Sequence, residues 1–547
     1  MIKKLSRLFA LILCIVIGST FVGCNNPDRG DPNSADTLDI YVYNAGYGYQ
    51  WSVDSINAFK QEDWVKEKYP NLKINFTKNE IENFGATQLS AGAKANTFDL
   101  IFAPILFSYF GPTGPLLELS EVFYESTVPG EDIKVKDKML SSYVASNIYN
   151  DIDATEKDQY YAMSYASGMT GIVYNENVLT SLGLNVPNTT NELVSIMDTV
   201  RALKDNTQGK YKNGYSFLTY GASAYANYLV DTWWAQYEGA NEYANFFQGV
   251  DSDTNSISPE IFRQKGRLES LKVIEDIYTY SKGNVWVNPN SGRSAYLDTQ
   301  TALLMGKGLF MANGDWFDNE MEQTRKGIIE INGKVDVIKM MKTPVISSII
   351  NKTPTITNDA MLSAVISAID NGQTSYEGVS EDDFATIKDA RTVVYSIGPN
   401  HTSVIPSYAA GKEIAVDFLR FLATDKGNEI YIKATGGATL PFRYDLKAKN
   451  EELYNSISPF QQEIISYFNE YTQEISILPS TSSFPLVRFG TLRPFASLGN
   501  TVGYYYTSNT SKGSYNTLSE KIFYTDYEYW TENDNARWNN CKSSAGI

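Results

Sequence analysis

The 547 residues include a single histidine, His401. That scarcity removes paired-histidine metal sites, His-Cys zinc sites and any Ser-His-Asp chemistry that needs a second histidine. His401 lies in "GPNHTSVIP", between turn signals, and reads as a loop residue without a chemical role. Cysteine is almost as rare, with Cys14, Cys24 and Cys541 the only three. Two of them fall at the N-terminus, so no internal disulfide framework can form. Cations are scarce too: 46 Lys and Arg face 63 Asp and Glu, for a formal charge of −17. A surface this acidic argues against nucleic acid and against polyanionic substrates. Long apolar runs are also lacking. The longest candidate, Leu8 to Ile17, is too short and too soon broken to read as a spanning helix.

What stands at the N-terminus has another reading. Lys3, Lys4 and Arg7 precede the apolar run, and Gly18, Ser19 and Thr20 lead into "FVGC". A basic region followed by a short apolar core is an export signal. Its end resembles a bacterial lipobox, with Val22 and Gly23 before Cys24, although Phe21 is bulkier than the usual leucine. The resemblance implies a signal peptide over 1–23 and diacylation of Cys24. The polar stretch "NNPDRGDPNSAD" offers nothing to pack, so 24–37 reads as a flexible tether.

The length calls for at least two cores. "TLDIYVYN", a helical spacing in "WSVDSINAFKQEDWVKEKYP", "NLKINFTK", the small-residue helix "GATQLSAGAKANTF" and "DLIFAPIL" alternate strand and helix. That is the pattern of a parallel α/β layer. A second such region begins near "YYAMSYASGMTGIVYNENVL", and the helix "TTNELVSIMDTVRALKD" offers Thr190 as its cap. "KEIAVDFLRFLATDKGNEIYIKATG" reads as helix, turn and helix.

Aromatics are abundant, at 13%, with 38 tyrosines. Each such ring offers an apolar face and a polar tip, as suits a binding surface, though core use explains tyrosine equally well. The stretch "NGDWFDNEMEQTRKG" concentrates the question. Asp315 reads as an N-cap, Asp318 lies in the first turn, and Gly327 can end the helix after Arg325 and Lys326. Capping thus accounts for both aspartates but not for Trp316, which is either a platform facing a cleft or inter-helix packing. Further candidates share the chemistry of aromatic rings beside amides and acids: Asn44, Tyr47, Tyr49 and Trp51 after the first strand, Tyr165, Asp231 with Trp234, and Phe484. Of the neighbours Trp233 and Trp234, about 100° apart on a helix, Trp234 is favoured for a cleft.

Five elements in order, "DIYVYNAGYGYQW", "NTFDLIFAP", "MSYASGMTGIVYNENVLTSLGLNVPNTTNEL", "TALLMGKGLFMANGDWF" and "AVDFLRFLATDKGNEIYIKATGGATLP", resemble the bacterial extracellular solute-binding proteins of family 1, the sugar-binding type. The resemblance covers most of 38–485. It is weakest over Pro354 to Arg391, which reads as an insertion, and in the tail after Phe484.

It implies an α/β fold of two lobes, the type II periplasmic-binding-protein fold. One lobe would take 38–163 with 395–440 and the other 164–394 with 441–547. Hinge crossings would lie near Ala162–Gly168, Val393–Ile397 and Gly436–Pro441. It also implies that Trp316 stacks on a sugar ring and that Phe484 presents a further aromatic. The partners implied are an oligosaccharide, the permease subunits of an ABC importer and, through the lipid on Cys24, a membrane. No cofactor and no metal are implied, and the chain would act as a monomer outside the cytoplasm.

Other readings compete. A glycosidase needs two carboxylates flanking a bond, ~5 to 10 Å apart, whereas Asp315 and Asp318 project from one helix face. A peptide-binding lipoprotein of an oligopeptide importer fits the length, and a purely structural surface lipoprotein is a third class. "DSDTNSISPEIF" has oxygen ligands at three positions of a calcium loop but lacks its glycine and final glutamate, and reads as a solvated turn.

Overall fold

The computed structural model describes residues 30–547 except 45, 81–83, 105–109, 150–157, 205–214, 221–224, 279–284, 289–294, 471–475, 478–483, 500 and 509. The leader and Cys24 lie outside the described residues, as does the first part of the expected tether. The rest of that stretch is not a tether. Gly30 is buried and exchanges two 3.1 Å hydrogen bonds with the Asn75 side chain, so the chain is already docked there.

Two five-stranded sheets organise the molecule. In the first, Thr37–Tyr43 runs parallel to Lys73–Asn79 on one side and to Leu100–Phe102 on the other. Thr402–Val404 then adds antiparallel, and Met163–Ser164 closes the far edge. The β-branched and aromatic run "TLDIYVY" suits a central strand buried on both faces, and helices cover it. Trp51, Ser55 and Phe59 recur every four residues along the helix Gln50–Phe59 and form its buried stripe. The single helical run expected here is two helices, because the stretch Lys60–Glu62 separates this one from Asp63–Lys68.

The second sheet runs Val285–Asn288, Tyr215–Tyr220, Gly308–Gly314, Thr170–Asn175, Ile338–Met341. Its first three strands are parallel, and Thr170–Asn175 is antiparallel to both of its neighbours. The helix Thr190–Lys204 is capped by Thr189 rather than Thr190. Thr189 Oγ1 accepts from the Glu192 N–H at 3.2 Å, and Glu192 reaches back to the Asn188 and Thr189 N–H groups, a reciprocal capping box. The region read as an insertion forms the helices Asp359–Asp370 and Glu381–Thr392, docked on this lobe through Asn188 to Ser363 and Ser367.

The chain passes between the sheets at Tyr165–Met169 and again between Val394 and Thr402. Its later passage comes after Arg443, because Pro441 and Arg443 still bond to Leu140 and Lys138 of the first lobe. The helix Pro459–Glu470 then packs on the second sheet, with the Tyr467 hydroxyl donating to the Met340 carbonyl at 3.0 Å. The tail ends in a long helix, Leu518–Ser544, tied to the second lobe by a fully buried Arg267–Asp526 pair at 2.6 Å.

Trp51 is fully buried in the first lobe, stacked on Tyr165 at 5.7 Å and edge-on to Phe102 at 5.1 Å. Trp51→Ala is therefore expected to cost about 3–5 kcal/mol of first-lobe stability, read as a shift in the urea midpoint.

Candidate functional site

The strand Gly308–Gly314 ends at the line where the lobes meet, and the helix Phe317–Asn332 leaves from it. Between them stand Asp315 and Trp316. The helix does not start as the capping pattern suggested. Trp316 occupies the N-cap position without a side-chain cap, and the helix runs through Gly327 to end at Gly333 in a left-handed conformation. Asp318 is buried, paired with Arg325, and accepts from the Ser458 hydroxyl at 2.6 Å. It adjoins a polar cavity of about 280 Å³, lined also by Asn319, Lys433 and Gln461.

Asp315 is the hub of a hydrogen-bonded network between lobes. The Tyr47 hydroxyl, from the first lobe, donates to Oδ1 at 2.9 Å. The Ser167 hydroxyl donates to Oδ2 at 3.1 Å and the Met169 N–H at 3.3 Å. The Thr439 hydroxyl donates to Ser167 Oγ at 2.9 Å, bringing a further segment into the network. Burial pushes the Asp315 carboxyl up to about 6, while the donors from Tyr47, Ser167 and Met169 pull it back down. His401 packs edge-on to both Tyr47 and Tyr165, and burial lowers its pKa. It is therefore a loop histidine, as the turn signals around it suggested, packed at the crossing.

Trp316 is 5% exposed, and its surroundings come from both lobes. A Cβ added to Gly46, of the first lobe, would lie 3.1 Å from Trp316 Cβ, and the Asn319 amide donates to the Gly46 carbonyl. On the other side the indole lies against Gly314, where an added Cβ would come within 2.1 Å of the ring. Two tyrosines complete a box. Tyr225 and Tyr228 stack on each other at 5.2 Å and both meet Trp316 edge-on, at 6.0 and 6.4 Å. Tyr395, at the second passage between sheets, stacks on Tyr228 at 5.5 Å.

Sequence reasoning missed Tyr225, Tyr228 and Tyr395. The first two were legible as an i, i+3 pair on the helix Tyr225–Glu238; Tyr395 carries no such signal. Ser167 and the Met169 N–H were also missed, because they act through position in the fold.

The other candidates are dispersed. Asp231 lies one turn beyond Tyr228, hydrogen-bonded to Tyr243, with its carboxyl pushed up to about 7 by burial. Trp234 is a correction: it is fully buried in the second lobe, donates to Gln264 Oε1 at 2.9 Å and packs against Tyr243 and Phe246. Trp233 is buried as well, so neither indole reaches the seam. Trp51 and Tyr165 are likewise core, stacked on each other. Tyr49 stays on the first lobe, with Lys78 Nζ 3.8 Å from its ring centre. The Asn44 N–H donates to the Asn79 carbonyl at 2.7 Å, extending the strand pairing. Phe484 is half-buried on the rim of the tail cluster, which Tyr395 also borders. The Asp251 carboxylate turns inward on its own hairpin, accepting from Asp253 N–H and the Thr254 hydroxyl. Among the described residues there is no cluster of His, Cys, Asp or Glu able to hold a metal, and no helix long and apolar enough to cross a membrane.

No family model matches the chain. A multiple sugar-binding protein of Streptococcus mutans serotype c is 25% identical over 203 residues, 36% of this chain. The chain spans 42% of that curated relative's length. Among solved structures, a chitin oligosaccharide binding protein superposes with a TM-score of 0.50 at 13% identity, covering 93% of this chain and 99% of that one. A raffinose-bound solute-binding protein covers 93% and 98% at 14% identity with a TM-score of 0.46, too distant a likeness to argue from. This chain resembles bacterial sugar-binding proteins in sequence and has the two-lobed solute-binding fold.

Because the folded Asp315 carboxyl holds its proton more tightly than a solvated one, it favours the folded state at low pH. That contribution is complete below the ordinary carboxylate value of 3.8 and is lost as pH rises through about 6. Asp315→Asn should remove about 2 kcal/mol of this decline, read from urea midpoints at pH 4 and pH 7. Asp231 and Glu320, both raised to about 7 by burial, act in the same sense and leave a residual slope in the variant.

Proposed function

We propose that the protein captures a carbohydrate, an oligosaccharide, in the seam between its lobes and does no covalent chemistry on it. Trp316 carries this reading. Its indole sits between lobes rather than inside one, with one side on Gly314 and a tyrosine box around it. A pyranose presents an apolar face of C–H groups that such rings desolvate, while its rim hydroxyls need acids, amides and backbone groups. Tyr395 borders the same box and supplies a polar tip. The names of the similar proteins point the same way, toward sugars.

On this reading 38–163 with 395–443 move against 164–394 with the chain beyond the later passage, the hinge lying at the passages near Ser167 and Ser396. A ligand touching both halves binds the closed arrangement better and shifts the population toward it. The closed form would deliver its cargo to the permease of an ABC importer. Cys24, lipidated after removal of 1–23, would hold the protein on the outer face of the cell membrane.

Trp316→Ala should weaken oligosaccharide binding by about 1 to 3 kcal/mol with the fold intact, measured by calorimetry against a panel of plant and starch oligosaccharides. A thermal-shift panel separates the competing peptide reading, since a true ligand raises the melting temperature by mass action. Stabilisation by peptides and by no glycan would overturn the sugar proposal.

A further inference from the structure

The chain's tail carries a contact that the seam around Trp316 does not use. Pro485–Arg488 forms a single helical turn, with Leu486 buried among Trp234, Phe246 and Trp538 of the second lobe. The final helix supports this turn from behind. It is interrupted at Glu532, and Asn533, Asp534 and Asn535 then take φ of 52°, 55° and 60°. Beyond the break, Cys541 Sγ lies 3.7 Å from the Leu486 carbonyl, and a Cβ on Gly490 would lie 2.6 Å from the Cys541 carbonyl. Before the break, Asp526 is fixed by Arg267 and accepts from the Phe495 N–H at 2.8 Å. Arg488 is thus mounted on a braced part of the second lobe.

Its guanidinium nevertheless ends on the first lobe. It lies 4.2 Å from the centre of the Tyr149 ring, and Nη2 donates to the Phe110 carbonyl at 2.8 Å. Phe110 and Tyr149 pack with Tyr161 and Val404 of the first lobe. The Tyr149 ring also rests against Gly111, where an added Cβ would lie 2.6 Å from the hydroxyl. At φ 102° that position suits only glycine. The ring is therefore held between backbone and guanidinium.

We propose that Arg488 is a positioning residue that clamps the two lobes together, so that the C-terminal tail sets how readily the protein closes. Phe110 and Tyr149 belong to one sheet's lobe and Arg488 to the other's, so hinge opening must separate them. A planar guanidinium can cover the ring and donate in its plane to a carbonyl at the same time; a lysine cannot do both.

The test uses the full chain with no ligand added, by small-angle scattering. Arg488→Gln should move the open-to-closed ratio toward open by about three- to thirtyfold, seen as a larger radius of gyration. Tyr149→Leu should match it, Arg488→Lys should fall between it and the wild type, and the double variant Arg488→Gln/Tyr149→Leu should open no further. Far-UV circular dichroism unchanged from wild type confirms that each variant folds. If Tyr149→Leu does not fold, the glutamine and lysine variants carry the comparison. Scattering from Arg488→Gln that superimposes on wild type would overturn the clamp. Since no sugar is present, that failure would leave the carbohydrate reading standing.

Discussion

The backbone at Ser167 is the point on which the two-lobed arrangement rests. Its carbonyl accepts hydroxyls from Tyr143 and Ser396, and its N–H donates to the Thr439 carbonyl at 2.8 Å. Its side chain donates to Asp315. Four segments distant in sequence are thereby tied to one residue. The approach is possible only because two glycines face each other. An added Cβ on Gly168 would lie 2.3 Å from the Gly398 nitrogen, and one on Gly398 would lie 2.3 Å from the Ala166 carbonyl. Bulk at either position would push the passages apart and loosen the register of the lobes.

From that knot the seam follows. The same Asp315 that accepts from Ser167 also accepts from Tyr47, so the passage between the sheets and the first lobe's loop share one carboxylate. Burying it is expensive unless its lone pairs are met, and three donors meet them. Trp316, next in sequence, is carried to the line between lobes as a consequence. A carboxylate shared between the lobes and a ring box beside it form a single construction rather than two neighbouring features. A separate tie, from the tail through Arg488, joins the lobes at other residues.

Much of the fold was legible. The three parallel strands of the first sheet and the paired helices Lys412–Leu422 and Asp425–Thr435 fall where periodicity put them, since a buried strand and an amphipathic helix each need a fixed apolar spacing, whereas Thr402–Val404 and Met163–Ser164 gave no such signal. The site was less legible. Trp316 could be singled out because capping left it unexplained; all three indoles are buried, but Trp316 meets residues of both lobes whereas Trp234 and Trp51, of the same composition, each lie inside one. An aromatic residue is apolar enough to serve either purpose, and only its neighbours decide which. Asp315 looked like a cap because caps depend on local spacing; its real partners lie 148 and 268 residues away.

The sequence by itself determined the α/β elements, the net acidic charge and the exclusion of chemistry that needs two histidines, because these depend on composition and on spacings of a few residues. Tertiary structure alone decided which rings gather at the seam, that Asp315 serves both lobes, and that the tail reaches across to Tyr149. Those outcomes depend on contacts between segments hundreds of residues apart, and no local pattern encodes where a chain will meet itself.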